Sequence, residues 1–260
     1  MSNEIKKFKC DQLQVEIYPS RAELGRAAAR FAAEYLRRRS RDSGSARVVF
    51  ACAPSQDDFL AALVHEEGVP WEKIIAFHMD EYVGLAAQHP ASFRRYLKEQ
   101  LLDHVTVKMF HPLQGECADV QAECQRYDQL LAEAPIDLIC LGVGENGHIA
   151  FNDPPVADFE DAVRVKIVEL DQACRQQQVN DGCFPDLDSV PRRALTLTIS
   201  VFRQARSLSV VVPGPRKASA VRDALTNPIS TACPASILRT HPDATLFLDA
   251  DSAGLLPPRW

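Results

Sequence analysis

The sequence predicts an α/β fold built on a doubly wound, mostly parallel sheet. Two observations lead there. Short apolar runs alternate with segments of helical periodicity along most of the chain. Several of those runs also end directly in turns that carry glycine, histidine or carboxylate, and ligands of open α/β sheets sit just beyond strand carboxyl ends.

The elements follow in order. Residues 21–39 read as an amphipathic helix with Leu24, Ala28, Phe31, Ala32 and Tyr35 on one face. Residues 47–52 read as a strand, 57–66 as a helix and 74–77 as a second strand. Residues 92–102 form a predicted helix with Phe93, Tyr96 and Leu97 inward, and 120–132 form another. The run 136–141 is short and almost wholly apolar, as in a strand buried on both faces. Strands are expected at 195–199, 208–212 and 245–249, with a helix at 216–225. Residues 174–191, rich in Gln, Asn, Asp and Pro, are the least regular stretch and read as a lid or surface excursion. The run Arg37-Arg38-Arg39-Ser40-Arg41 reads as a solvated helix C-terminus, where cations suit the dipole.

A chain of 260 residues with 46% hydrophobic content can bury a sizeable core, and without repeats or a linker it reads as a single domain, 1–260. A net charge of −6 argues against nucleic acid as the main partner but leaves room for a local basic pocket. None of the eight cysteines forms a C-x-x-C pair, so a zinc ribbon is not expected, and Cys52 and Cys140 read as small buried apolar residues. The N-terminus lacks an apolar leader and no segment approaches 18 apolar residues, so a cytoplasmic protein with reduced thiols, away from membranes, is expected.

Three constellations carry chemistry. After the run 136–141, Gly142, Gly144 and Gly147 permit a sharp turn that presents His148 and Asp153. The glycines match G-x-G-x-x-G, but a Phe-Asn-Asp-Pro-Pro loop follows instead of the long helix of a dinucleotide site. The second is Phe77-His-Met-Asp-Glu-Tyr-Val-Gly-Leu85, which sets Asp80 and Glu81 at another strand end; Asp80 read alone could equally cap a turn. The third, Val211-Val-Pro-Gly-Pro-Arg-Lys217, joins a strand, a turn and a helix start, which suits phosphate or is an ordinary capped helix. A metal centre of His78, Asp80, His89 and His148 lacks the usual ligand spacing, and no metal is expected.

The motifs FHMDEYVGL with the HP and SF that follow, LGVGENGHIAFNDP, and GPRKA resemble the glucosamine-6-phosphate deaminase (isomerase) family. More distantly they resemble the 6-phosphogluconolactonases that share its fold. The resemblance spans residues 47–249. It implies a three-layer, Rossmann-like sheet with helices on both faces, a small-molecule sugar phosphate as partner and no cofactor. The implied reaction opens the sugar ring, moves a proton between C2 and C1, and releases ammonia to leave fructose 6-phosphate. Asp80 matches the family's general base. His148 matches the acid/base for ring opening, and Asp153 stands where the family has the glutamate that orients it.

The chain also departs from the family pattern. Asn146 replaces the usual Asp before Gly147-His148, with Glu145 expected to point elsewhere; on this reading, restoring Asp at 146 leaves activity equal or higher. The turn Ala51-Cys-Ala-Pro-Ser-Gln56 has no glycine where the family cradles the phosphate. Ser55 and Lys217 remain for that anion, Arg175 is the nearest match to a family arginine, and Glu81, Gly144 and Gly147 complete the implied substrate-binding set. Arg164 and Lys166 resemble residues that bind an allosteric sugar phosphate in some members, or else form a solvated strand edge. Family members range from monomers to hexamers, so a homo-oligomer is compatible with the resemblance. Two other readings stand beside the deaminase: a lactonase or isomerase that releases no ammonia, and a sugar-phosphate sensor that has lost the chemistry.

Overall fold

The computed structural model of the protein describes residues 5–258. The absence of an apolar leader, read partly from residues 1–4, therefore falls outside the described residues.

The chain opens with a hairpin, β1 (Lys6–Cys10) and β2 (Leu13–Tyr18). Helix α1 (Arg21–Ser43) follows; Ser20 caps it by accepting from Glu23 N, and Gly44 ends it at φ 76°. Then come β3 (Ala46–Phe50), α2 (Asp57–Leu63), β4 (Ile74–His78) and β5 (Asp80–Tyr82). Helix α3 (Phe93–Leu97) continues into a π-helical turn over Lys98–Leu102, so the single helix expected there changes its winding midway. The rest are β6 (Met109–His111), α4 (Val120–Ala132), β7 (Leu138–Leu141), β8 (Val165–Glu169), α5 (Gln172–Asn180), β9 (Arg193–Leu197), α6 (Ile199–Gln204), β10 (Ser207–Val212), α7 (Ala218–Thr226) and β11 (Ala244–Asp249).

Eight strands form the central sheet in the order β1-β2-β11-β10-β7-β3-β4-β6. Only the β1–β2 pairing is antiparallel. Side chains alternate between two apolar layers, as the period of two requires. Val48 and Phe50 of β3 and Leu138 and Cys140 of β7 join the layer beneath α1 and α2. Val49, Ile139 and Leu141 join the opposite layer, with Tyr127 of α4 and Val221 of α7. This is the three-layer, doubly wound arrangement.

The chain runs outward from β3 through β4 to β6, then returns to place β7 on the other side of β3. Strand order therefore reverses between β3 and β7. At such a switch point the two following loops diverge to opposite faces and leave a crevice at the strand carboxyl ends.

Several expectations need correction. The strand expected at 195–199 belongs to a separate three-stranded antiparallel sheet, β5-β9-β8, and Ile199 already starts α6. Strands β1, β2, β5, β6 and β8 gave no sufficient signal. The first part of 174–191 is the regular helix α5, which Asp171 caps by accepting from Cys174 N at 2.6 Å. The arginine run is less solvated than expected, since Arg39 pairs with Asp137 at 2.6 Å and Arg37 with Glu66 at 3.1 Å. Among the described residues no helix is long and apolar enough to cross a membrane.

Candidate active site

Four strand ends converge on the switch-point crevice. The β3 turn brings Ser55 and Gln56, the end of β4 brings Asp80, the β7 turn brings Gly144 and His148, and the β10 turn brings Lys217. Together they line one cleft that opens to solvent.

Asp80 opens β5 and lies opposite Thr196 of β9. Thr196 in turn accepts from Phe151 N at 3.0 Å through its Oγ1. The small sheet thus fixes the Asp80 backbone and the loop after His148 to one frame. The Asp80 carboxylate is 8% exposed and makes no hydrogen bond or ion pair among the described residues. Burial first, and the neighbouring Glu81 charge second, push its pKa well above the usual carboxylate value.

Across the cleft, His148 Nδ1 lies 2.8 Å from Asp153 Oδ1, though without the alignment of a full hydrogen bond. Burial alone would raise the Asp153 pKa. The His148 contact, the Asn146 amide and the Cys174 thiol outweigh it and hold the carboxyl below its ordinary value. Asp153 is therefore the ionised partner of the imidazole. Gly144 lies beneath the ring: a Cβ there would stand 2.2 Å from His148 Cε1, so only glycine lets the imidazole lie flat over the turn. Ala150, on the cleft wall, has φ 49°, a left-handed conformation that a non-glycine residue keeps only where its surroundings impose it.

At the other end stands Lys217, 7% exposed, whose ammonium has no ion pair or hydrogen bond among the described residues. Its turn is fixed because Gly214 N donates to Asp249 Oδ2 at 2.9 Å. Burial lowers the Lys217 pKa, against the raising influence of Asp181 and Glu145. A buried, unpaired ammonium facing a cleft suits an anionic ligand. Ser55 lies alongside, and Gln56 Nε2 donates both to Ser55 Oγ at 3.2 Å and to Val211 O at 3.2 Å.

Asp80, His148, Gly144, Ser55 and Lys217 therefore share one cleft, with Asp153 directly behind His148. Asn146 also lies behind the wall: its amide donates to Asp153 Oδ1 at 2.9 Å and its carbonyl accepts from His148 N at 3.1 Å. It positions the pair without facing the cleft. This reverses the expectation for Asn146→Asp. A carboxylate there would replace a donor to Asp153 with a like charge, so kcat should fall about tenfold or more, read from initial rates of the two proteins side by side.

Three assignments are corrected. Glu81 is fully buried outside the cleft, where its carboxylate accepts from Ser92 Oγ at 2.9 Å and from Arg94 N at 3.1 Å and Nε at 3.2 Å. Arg175 points away; its guanidinium donates to Leu187 O and, at 3.2 Å, to Val190 O, tying down the loop after α5. Gly147 supplies the turn at φ 84° but faces Cys233, whose Sγ would be 2.6 Å from an added Cβ. Where an arginine was sought, α5 instead presents Gln177 and Gln178 to the cleft. Gln177 Oε1 also accepts from Glu145 N at 2.8 Å. Only the Gln176-Gln177-Gln178 run hinted at this, because an isolated glutamine is an ordinary helix-surface residue.

Other sequence readings resolve by geometry. Glu145 does point elsewhere, 3.5 Å from Arg216. Lys166 Nζ is held by Asp161 at 2.6 Å and Val156 O at 2.8 Å, and Arg164 leans on Asp128 at 3.4 Å. His78 Nε2 accepts from Leu113 N at 2.8 Å and His89 Nδ1 from Ala91 N at 3.1 Å, so the metal quartet weighed from the sequence is not assembled.

Taken together, a buried carboxylate without a partner shares one cleft with an imidazole–carboxylate pair and a buried cation. Such a cleft can move protons between neighbouring atoms of a substrate anchored by its anionic group.

Comparison with known proteins points to one family and fold. A family model described as glucosamine-6-phosphate isomerases/6-phosphogluconolactonase matches residues 19–247. A glucosamine-6-phosphate deaminase of Listeria monocytogenes is 34% identical over 214 residues, covering 82% of this chain and 89% of its own. One from Lactobacillus delbrueckii subsp. bulgaricus is 30% identical over 244 residues, covering 94% of this chain and 100% of its own. Among solved structures, a monomeric glucosamine-6-phosphate deaminase superposes with a TM-score of 0.84 at 31% identity, covering 93% of this chain and 99% of its own. A 6-phosphogluconolactonase from Shewanella baltica superposes at 0.74 with 18% identity, covering 94% and 99%, a likeness of fold.

Proposed function

Since the chain belongs to the glucosamine-6-phosphate isomerase/6-phosphogluconolactonase family, we propose that it converts glucosamine 6-phosphate, with water, to fructose 6-phosphate and ammonia. The observation that carries this reading is the unpaired Asp80 carboxylate facing the His148–Asp153 pair in the cleft that also holds Lys217.

In this reading Lys217 takes the phosphate, helped by the Ser55 hydroxyl and the neutral amides of Gln56, Gln177 and Gln178. A single cation then carries most of the charge recognition. His148, held by Asp153, passes a proton to the ring oxygen as the ring opens. Asp80 then takes the proton from C2 and returns it at C1. Its raised proton affinity brings the carboxyl nearer to working pH, where a general base is most effective. Loss of the nitrogen as ammonia, with a water oxygen at C2, completes the balance. No cofactor enters the scheme.

The decisive experiment follows ammonia and fructose 6-phosphate formation from glucosamine 6-phosphate, with Asp80→Asn as control. Both products with the wild type and neither with the variant support the reading. Neither product, with substrate still raising the melting temperature, would leave a different sugar phosphate or a sensor.

Lys217→Ala should raise KM by about tenfold or more, the scale of one charge-assisted contact, with a smaller change in kcat. An unchanged KM would move the anion site elsewhere.

A further inference from the structure

Cys174 has no part in the proposed reaction, yet it sits in the first turn of α5 directly behind the imidazole–carboxylate pair and is 1% exposed. The ligand atoms of His148, Asp153 and Cys174 all lie within 4.8 Å of one another. No other group of three such side chains converges in this way among the described residues. Two polar atoms of the cluster, His148 Nδ1 and Asp153 Oδ2, are buried without an aligned hydrogen-bond partner. Buried polar atoms are almost always well satisfied, so a misaligned His148–Asp153 contact beside a thiol that also leans on Asp153 calls for an explanation.

We propose that His148, Asp153 and Cys174 form a binding site for a thiophilic divalent cation, zinc above all. The donor set is nitrogen, oxygen and sulfur, which suits zinc and excludes magnesium and calcium. Donors around a tetrahedral zinc stand roughly 3.3 Å apart. His148 Nδ1 and Asp153 Oδ1, now 2.8 Å apart, must therefore separate by about half an ångström. The flat seat over Gly144 leaves the ring free of side-chain obstruction on that side. Binding converts the Cys174 thiol to a thiolate and releases its proton to solvent; no bond is oxidised or reduced. The ion occupies the imidazole lone pair and the carboxylate, so it displaces the orienting contact instead of assisting it. Where the deaminase reading holds, zinc is then a reversible inhibitor that chelators remove.

The test measures metal directly and does not depend on turnover, so its failure is separable from failure of the deaminase reading. Full-length protein stripped with chelator is titrated with zinc against a chromophoric indicator, and with cobalt(II) followed by absorbance. The wild type should bind one equivalent and give a thiolate-to-cobalt charge-transfer band. Cys174→Ser should lose that band and weaken zinc binding by at least about tenfold, a scale on which even the outer partners of a metal change affinity. Excess magnesium should not compete. His148→Asn leaves the buried thiol untouched and should weaken zinc in the same way, which keeps the proposal testable if Cys174→Ser folds poorly. A charge-transfer band that survives in Cys174→Ser, a band lost instead in Cys183→Ser, or a wild type that binds no zinc would each overturn it.

Discussion

Asp80→Asn should abolish turnover, by about 10²–10⁴-fold, the usual contribution of a positioned general base, while substrate still raises the melting temperature. The amide keeps the size of the carboxylate and its place opposite Thr196, so the cleft survives. The same substitution should stabilise the protein. Burial raises the Asp80 pKa in the folded state above the unfolded value of about 3.9. A carboxyl raised in this way binds its proton more tightly when folded. Its contribution to stability is present at low pH and is lost as pH rises from the unfolded value through the folded one. At neutral pH the folded chain therefore carries the cost of a buried, unpaired carboxylate, and asparagine removes it. The melting temperature of Asp80→Asn should exceed that of the wild type at pH 7, with the gap closing toward about pH 4. Equal melting temperatures throughout would mean that the carboxylate is solvated, and unchanged turnover would remove it as the base.

Glu81→Ala should have the opposite profile: a large loss of stability with an effect on catalysis only through the fold. Its carboxylate collects the Ser92 hydroxyl, the amides of Tyr82, Phe93 and Arg94, and the Arg94 guanidinium. Removing it strands these donors in the interior and leaves Arg94 with Glu116 as its remaining ion-pair partner, at 2.6 Å. The expected loss is about 3–5 kcal/mol, the cost of breaking a buried pair from one side, read from urea unfolding. Beside it, Asp80→Asn should leave the unfolding midpoint equal or higher. The adjacent residues Asp80 and Glu81 thus separate chemistry from support: the strand period sends one carboxylate to the cleft and its neighbour into the interior.

That separation marks where the sequence stops informing. The strand–turn junctions were legible because each combines an apolar run with glycine or proline and a titratable residue, as at Leu141–Gly142 and Val212–Gly214. The β3, β7 and β10 runs are continuous and apolar because their strands are buried on both faces, so their registers were readable within about two residues. The short strands β5, β6 and β8 were not, since three to five residues carry too little pattern and are held by partners remote in sequence.

The sequence by itself determined the α/β class, the strand ends that bear Asp80, His148 and Lys217, and the family that these motifs resemble. Local pattern suffices there, because turn chemistry and strand burial leave their mark in adjacent residues. Tertiary structure alone decided which polar groups face one another. It turned Glu81 and Arg175 away from the cleft, put Gln177 and Gln178 into it, placed Asn146 as a donor to Asp153, and set Cys174 behind the imidazole. Those outcomes depend on helix phase, on the second sheet and on the order reversal between β3 and β7, and all three are set by contacts between residues far apart in the chain.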